Sequence, residues 1–443
     1  MCLSNHFYKR VSNARRDIQK FRIWEENLAF LEVAIIGLGF NSTKVKLMES
    51  NHKKIQLAKL NRAFTPSAPV TAVDFFIKRL GEINAITETM NEPGQHAVLY
   101  GERGVGKTSL ANFIKAAFSQ INNKFVIVKI SCNQSDNTGE IWNKIFKSIS
   151  RVIDEYEPNI SLLLETDDIN PSYIIEELEL EELHKTILVI IDEFDNIKNS
   201  KTKIQIADTI KVLSDTIPYI TILIVGVADS INDLIGNHAS VGRCLKQIKL
   251  PRMLPQELEQ IIEKGLNNLE ITIDEKVKSD IIEFSQGFPH YVHLLAKLSA
   301  KVAIENSQEK ITRECFNTAI NEAIRNAQES IRKSYEMAIT NTRNQDGFRN
   351  VLWACTLVKE DENGTFRAID IEEHLLTLTG RKYKQQSYSY NLGMLCQTQK
   401  GTVLEKVGES SKQTRYRFKD PLLKAFIKLI IYQQTNQLEI SHL

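Results

Sequence analysis

The feature that most constrains this chain is a single glycine-rich segment. It reads Gly101-Glu102-Arg103-Gly104-Val105-Gly106-Lys107-Thr108 and matches the pattern G-x-x-x-x-G-K-[ST] at every position. The β-like run 97–100 leads into it, and a helical pattern leaves it from Ser109. Glycines let backbone N–H groups curl around a phosphate, and the first turn of the helix points its positive dipole end at the same place. The segment therefore predicts a phosphate-binding loop that contacts ATP through residues 101–109.

An acidic pair completes the predicted site. The apolar run 187–191 has the character of a central strand buried on both faces, and Asp192 and Glu193 follow it directly. A carboxylate at the end of such a strand is placed to hold hydrated Mg²⁺ together with the Thr108 hydroxyl, while Lys107 reaches the β- and γ-phosphates. Glu193 is the predicted general base that polarises the attacking water. Together these residues predict an enzyme that binds Mg-ATP and hydrolyses it to ADP and phosphate.

Short apolar runs alternate with helical periodicities between residues 73 and 250. Such alternation predicts an α/β fold, here a P-loop NTPase core in which helices cover both faces of a parallel sheet. The predicted strands are 96–100, 125–131, 186–191, 220–225 and 247–250. The helical stretches between them are 109–118, 139–153 and 202–213.

The pattern divides the chain into four predicted parts. They are a basic N-terminal extension (1–63), the ATPase core (64–250), a lid made only of helices (251–343) and a winged-helix domain (344–443). The last assignment rests on the order of the elements. Three helical stretches precede two β-like runs and a final helix, at 348–358, 370–378, 385–396, 402–407, 414–418 and 422–431.

Overall composition narrows the function classes only slightly. A formal net charge of +1 says nothing about partners, because local patches decide binding. The six cysteines are scattered without a C-x-x-C spacing, which argues against a disulfide framework or a cysteine metal site and fits a reducing compartment. No segment reaches the roughly 20 apolar residues that a bilayer requires. We therefore expect a cytoplasmic protein without a membrane partner.

These motifs give residues 64 to about 300 a resemblance to the AAA+ ATPases of the origin-recognition and replication-initiator kind. The resemblance implies ATP hydrolysis in a homo-oligomer, with Mg²⁺ as cofactor. It implies a first sensor at Asp229, although that residue could equally cap a loop. It also implies a second sensor at His290, in the stretch Gly287-Phe288-Pro289-His290, where relatives carry an arginine. Pro289 is explained by its place at the start of a helix.

Three arginines acquire expected roles from the same resemblance. Arg243 precedes the last strand, where relatives place an arginine that reaches the ATP of a neighbouring subunit and stabilises charge on the phosphates. The alternative is that Arg243 caps a helix or pairs with a local acid, which leaves Arg252 as the second candidate. Arg79 stands where relatives contact adenine, but Lys78 replaces their usual glycine.

Positive charge gathers near the C-terminus. Residues 381–428 contain eleven lysines and arginines against three acids, a net charge of +8. Together with the polar residues 387–391 on the third helix of the predicted winged helix, this charge favours contacts with double-stranded DNA. In a second hypothesis the chain is a signal-transducing NTPase switch whose winged helix docks a protein partner. A third, an ATP-binding subunit with negligible turnover, is opposed by the presence of Glu193.

Overall fold

The computed structural model describes residues 42–66, 79–121, 125–154, 171–180, 186–228, 234, 242–340, 345–361, 364–407 and 414–441. The chain divides into two compact units, residues 1–58 and residues 59–443. The described part of the first unit is helical and belongs to helix α1 (Ser42–Ala63).

Five parallel strands form the centre of the second unit. They are β1 (His96–Gly101), β2 (Phe125–Ser131), β3 (Thr186–Asp192), β4 (Ile220–Val227) and β5 (Leu245–Lys249). Their order across the sheet is β2-β3-β4-β1-β5, and every neighbouring pair is parallel. The prediction of a parallel sheet is thus confirmed, although the fifth strand begins two residues earlier than the sequence suggested. Because β1 and β3 end at the same edge on either side of β4, the residues that follow them meet there.

Helices cover the sheet because its central strands β3 and β4 are apolar on both faces. These helices are α2 (Leu80–Asn91), α3 (Lys107–Ile121), α4 (Thr138–Asp154), α5 (Pro171–Leu180) and α6 (Ser200–Thr216). Successive strand residues point to opposite faces. Val189 and Ile191 belong to one core with residues of α4, α5 and α6, whereas the alternate residues Leu188 and Ile190 are equally inaccessible on the other face.

A helical bundle follows the sheet. It contains α7 (Pro255–Asn267), α8 (Glu275–Ser285), α9 (Pro289–Glu305), α10 (Arg313–Arg325) and α11 (Glu329–Ile339). The prediction that this region holds only helices is wrong. Two short strands, β6 (Thr272–Ile273) and β7 (Lys310–Ile311), pair in parallel beside the helices. Strands of two residues are too short to show a periodic sequence pattern.

The C-terminal region combines helices with a small antiparallel sheet. Its elements are α12 (Gln345–Leu357), β8 (Phe366–Arg367), α13 (Glu372–Thr379), α14 (Gln385–Leu395), β9 (Leu404–Val407), β10 (Arg415–Phe418) and α15 (Pro421–Ser441). The strands are arranged β8-β10-β9. The three helices, two strands and final helix occur in the predicted order. The short strand β8 was not predicted.

Phe64, just after α1, is inserted into the helical bundle. Its side chain is 0% exposed, and its ring lies edge-on to His293 of α9, with 5.9 Å between ring centroids. A Cβ atom added to Gly265 of α7 would lie only 2.1 Å from the Phe64 ring. The bundle therefore holds the segment Phe64-Thr65-Pro66 in place. No helix among the described residues is long and apolar enough to cross a membrane.

Candidate functional site

The predicted phosphate loop connects β1 to α3 at the carboxyl edge of the sheet. Gly106 has φ +102°, a backbone conformation that side chains disfavour. Gly101 packs so closely against the chain after β5 that an added Cβ would lie 2.4 Å from the Leu250 carbonyl oxygen. Helix α3 begins at Lys107, so its free N–H groups and dipole face the concave side of the loop. The local structure is the one that the glycine spacing predicts.

Lys107 points back into the loop. Its Nζ donates hydrogen bonds to the carbonyl oxygens of Gly101, at 3.0 Å, and Glu102, at 2.7 Å. The side chain is 7% exposed, and burial lowers the pKa of Lys107 to about 8, against the opposing attraction of Asp195 and Asp192. A buried cation bonded only to neutral carbonyls is well placed to exchange them for anionic oxygens.

Asp192 ends β3 beside the start of α3 and is 2% exposed. Its Oδ1 accepts hydrogen bonds from the backbone N–H of Glu193, at 2.9 Å, and from the Thr108 hydroxyl, at 3.4 Å. A carboxylate and a hydroxyl side by side at the edge of the phosphate loop are the oxygen ligands that Mg²⁺ prefers. The residues present therefore fit a magnesium ion bound together with a triphosphate.

Lys129 is a site residue that the sequence analysis missed. Its Nζ lies 2.8 Å from Asp192 Oδ2 and donates to Asn112 Oδ1 at 2.6 Å. One side chain thus links β2, the helix after the phosphate loop and the end of β3, which fixes the orientation of the Asp192 carboxylate. The available signal was one lysine inside the otherwise apolar strand Phe125–Ser131.

Glu193 has an unusual backbone and an exposed side chain. Its φ of 58° and ψ of 34° lie in the left-handed region, which costs of order 1–3 kcal/mol for a residue other than glycine. A 3₁₀ turn (Phe194–Asn196) follows, and Asp195 Oδ1 accepts a hydrogen bond from Val227 N at 2.8 Å. These contacts tie the turn to the end of β4. The Glu193 carboxylate is therefore free to face solvent next to the buried Asp192.

A cavity of about 710 Å³ brings most of the predicted site together. It lies between the phosphate loop, the residues after β3 and the start of α9. His290 lines it, and His290 Nδ1 lies 2.7 Å from the Pro66 carbonyl oxygen, which can only accept a hydrogen bond. Of the predicted site residues it contains Arg103, Gly104, Gly106, Lys107, Thr108, Ser109, Asp192, Glu193 and His290. Val105, which is 1% exposed, supports the loop from the interior.

Arg243 lies at the end of the sheet where the strands begin, opposite the end that carries the phosphate loop. It precedes β5, and its carbonyl oxygen accepts from Gln95 Nε2, just before β1 begins. Its guanidinium is 71% exposed and pairs with Asp215 at 3.3 Å, which matches the local-acid alternative for this residue. A pair so exposed contributes little stability. Arg243 therefore does not line the cavity of its own chain.

Two other predicted contacts are not in the cavity. Arg79 is 5% exposed, donates to the Pro251 carbonyl oxygen at 2.9 Å and pairs with Glu257, so it joins α2 to the bundle. Arg252 pairs within its own chain with Glu102, at 2.9 Å, and Glu360, at 2.8 Å, which argues against a role in a neighbouring subunit. Asp229 lies outside the described residues.

The basic C-terminal segment is only partly a free surface. Several of its cations have partners within the chain: Arg415 pairs with Asp361, Arg417 with Glu405, Lys424 with Glu360 and Lys428 with Glu283, and Lys400 is buried. On the third helix, Tyr388 and Asn391 are also buried, so the expectation that they touch DNA is wrong. Three exposed cations, Arg381, Lys382 and Lys384, lie just before α14, and Ser387 and Tyr390 are exposed on that helix. Lys406 and Lys419 are also exposed, near the small sheet.

Comparison with known proteins agrees with this architecture. Residues 90–234 match a family model described as an AAA domain. No curated protein sequence matches the chain. The Walker-type ATPase PABY2304 of Pyrococcus abyssi has a similar structure, with 16% sequence identity, a TM-score of 0.52 and coverage of 82% of this chain and 99% of that one.

Two further solved structures are similar at lower scores. The ORC1 protein of Aeropyrum pernix, in complex with DNA, has 14% identity and a TM-score of 0.44, with 86% of this chain and 98% of that chain covered. The RuvB Holliday junction branch migration motor of Thermotoga maritima has 13% identity and a TM-score of 0.40, with 79% and 95% covered. The matched residues 90–234 carry the phosphate loop, Asp192 and four of the five sheet strands, and the chain has the P-loop NTPase fold.

Proposed function

We propose that this chain binds Mg-ATP in the 710 Å³ cavity, hydrolyses it and couples the ATP cycle to assembly on double-stranded DNA. The observation that carries the ATPase proposal is the meeting of Lys107, Thr108, Asp192 and Glu193 at one cavity. They come from segments far apart in sequence, and each is chemically suited to a different part of a triphosphate and its attacking water.

Each residue has a role that follows from its position. Lys107 exchanges its carbonyl partners for β- and γ-phosphate oxygens, and the amides of the loop surround the β-phosphate. Asp192, oriented by Lys129, and Thr108 would hold the metal. Bound magnesium supplies neutralisation of the charge that develops on the phosphates. Glu193 takes up the proton of the attacking water, since its carboxylate is exposed to the cavity.

We also propose that the ATPase acts as a homo-oligomer in which Arg243 completes the site of a neighbouring subunit. Its place at the amino-terminal end of β5, opposite the phosphate loop, supports this geometry, because Arg243 does not line the cavity of its own chain. Asp229 and His290 are proposed to contact the γ-phosphate region from the core and the bundle, respectively.

Mixing two inactive variants tests the role of Arg243. Arg243→Ala is expected to lower turnover by roughly 10³-fold, as for other arginines that act across an interface. Mixed with Lys107→Ala subunits, it is expected to recover measurable turnover, because an intact Lys107 site then meets an intact Arg243. The assay is steady-state phosphate release across a series of mixing ratios. Failure of every mixture to exceed the two separate variants would show that Arg243 acts in its own chain or not at all.

The exposed cluster at the start of α14 supports DNA binding. We propose that the C-terminal elements form a winged helix and that Arg381, Lys382 and Lys384 contact DNA phosphates, with Ser387 and Tyr390 facing the groove. Such contacts are salt-dependent, because each neutralised phosphate releases counterions.

A triple substitution tests this surface. Changing Arg381, Lys382 and Lys384 to alanine is expected to weaken duplex binding by about tenfold or more near 0.1 M salt and to lower the salt slope by about 2–3. Fluorescence anisotropy of a labelled duplex measures both. Alanine at the exposed residues Lys201, Lys264 and Lys276 removes the same charge elsewhere as a control. If the wild type binds no duplex even at low salt, the DNA proposal fails and the ATPase proposal stands.

A signal-transducing switch is the second candidate function. The observation that favours it is the packing of the C-terminal region on the phosphate loop, where Leu422 approaches Gly104. In such a switch, ATP would change the exposure of a protein-docking surface. ATP turnover and oligomeric mass, measured with and without duplex DNA for wild type and Glu193→Gln, separate the two candidates. DNA-stimulated turnover favours the DNA-coupled ATPase.

A further inference from the structure

Arg252, which follows β5, touches three parts of the molecule at once. Its Nε lies 2.9 Å from Glu102 Oε2 in the phosphate loop, and an Nη atom donates to Glu360 Oε2 of the C-terminal region at 2.8 Å. Its guanidinium carbon lies 4.8 Å from the centre of the Phe288 ring, in the turn that leads to His290. One planar group therefore joins the loop, the bundle and the C-terminal region.

The C-terminal side of this junction is firmly held. The side chain of Glu360 is 6% exposed and pairs with Lys424 at 3.1 Å. Lys424 is 4% exposed and also donates to the Val358 carbonyl oxygen at 3.0 Å. Glu360 is therefore a fixed acid, and any change in the position of the C-terminal region moves it relative to Arg252.

A second contact brings the same region onto the phosphate loop. A Cβ added to Gly104 would lie 3.2 Å from a methyl group of Leu422, at the start of α15. The Leu422 carbonyl oxygen accepts a hydrogen bond from the Tyr291 hydroxyl of α9 at 2.8 Å. Leu422 also lines the nucleotide cavity. The C-terminal region thus borders the site where phosphates are proposed to bind.

The charges at this junction have a direct consequence for an anionic ligand. Glu102 belongs to the phosphate loop, but its carboxylate lines the neighbouring cavity together with Arg252 and Glu360. From there its negative charge would repel an anion bound in the loop, unless it is neutralised. Arg252 neutralises that carboxylate. Because Glu360 shares the same guanidinium, the position of the C-terminal region determines how much of the Arg252 charge is available to Glu102.

We propose that Arg252 is a positioning residue that couples the C-terminal region to nucleotide affinity by neutralising Glu102. This inference rests on the proposed nucleotide site. It assigns Arg252 a role in its own chain, distinct from the role in a neighbouring subunit that the sequence suggested. Coupling of two sites through a shared residue is reciprocal, so bound nucleotide must also act on the Glu360 contact.

The main test is a charge rescue. Arg252→Met keeps a long apolar side chain against Phe288 but leaves Glu102 unpaired, and it is expected to weaken binding of a fluorescent ATP analogue by about tenfold. Adding Glu102→Gln to the same chain removes the repelling charge and is expected to restore affinity to within about threefold of Glu102→Gln alone. Arg367→Met, in a surface pair with Asp370, is the matched control and is expected to leave affinity unchanged.

Loss of affinity that Glu102→Gln does not relieve would mean that Arg252 serves only to hold the fold, and the proposal would be overturned. The same holds if Arg252→Met binds like wild type. If wild type itself binds no nucleotide, the proposed function fails instead, so the two failures are distinguishable.

A second measurement tests the contact between Arg252 and Glu360 of the C-terminal region. Glu360→Gln releases Arg252 to Glu102 and is expected to tighten binding by about fivefold in wild type, but not in Arg252→Met. Hydrogen exchange of residues 358–361 and 419–424 is expected to change on nucleotide addition in wild type only. An equal effect of Glu360→Gln in both backgrounds would overturn the coupling.

Discussion

Lys107→Ala is expected to weaken binding of Mg-ATP by about 100-fold or more, the loss expected when one partner of a buried charged contact is truncated. The reason is local. Lys107 is 7% exposed, and its ammonium group already donates to two carbonyl oxygens of the loop, so its loss removes a buried cation from the place where the phosphates would bind. Isothermal titration with a slowly hydrolysed ATP analogue measures the change.

The matched control for this variant is Lys115→Ala. Lys115 lies on the same helix α3 but is exposed, so its removal changes the net charge equally without touching the loop. Undiminished affinity in Lys107→Ala, at wild-type thermal stability, would contradict the assignment of the cavity as a triphosphate site.

The same lysine predicts a pH dependence of affinity. Burial lowers the pKa of Lys107 to about 8, whereas a bound phosphate would favour the protonated form and raise that pKa. Affinity is therefore expected to be fully present below pH 8 and to fall as the pH rises above it. This dependence is expected to disappear in Lys107→Ala.

Glu193→Gln is expected to lower ATP turnover by about 10²–10⁴-fold, the usual contribution of a general base, while nucleotide affinity stays near wild type. The carboxylate is exposed at the cavity, where it would act on the attacking water rather than bind the phosphates. Glutamine has the same shape and the same cost in the left-handed backbone conformation, so the substitution removes only the ability to accept a proton.

Phosphate release and analogue binding, measured on the same preparation, test this variant. Glu88→Gln is a suitable control, because Glu88 is an exposed acid on α2 that pairs with Lys246 away from the cavity. Turnover within a few-fold of wild type would exclude Glu193 as the base. If nucleotide affinity fell together with turnover, Glu193 would be assigned a role in binding instead.

The sheet and the phosphate site were predictable because their signals are local. Apolar β-rich runs such as 187–191 indicate buried strands, and the spacing of the glycines with Lys107 and Thr108 predicts the phosphate loop. Asp192 followed from its place at a strand end. The AAA domain and its fold therefore agree with the prediction.

The remaining features depend on contacts between distant residues. Lys129 contacts Asp192 only because β2 pairs with β3. Arg252 contacts Glu360, which lies 108 residues later, only because the C-terminal region packs next to the phosphate loop. The short strands β6, β7 and β8 are too brief to leave a periodic pattern. The burial of Tyr388 and Asn391 could not be predicted either, because the elements that pack against α14 decide which of its faces is buried.

The Phe64 ring occupies the space that a side chain at position 265 would need, although the two positions lie 201 residues apart in the sequence. Neither can change size alone: a bulkier residue in α7 would expel the ring, and a smaller one at position 64 would leave a hole in the bundle. Because Pro66 is only two residues further and holds His290, that displacement would shift the wall of the cavity as well. The shape of the cavity thus depends on Phe64, a buried residue of the bundle that does not itself line the cavity.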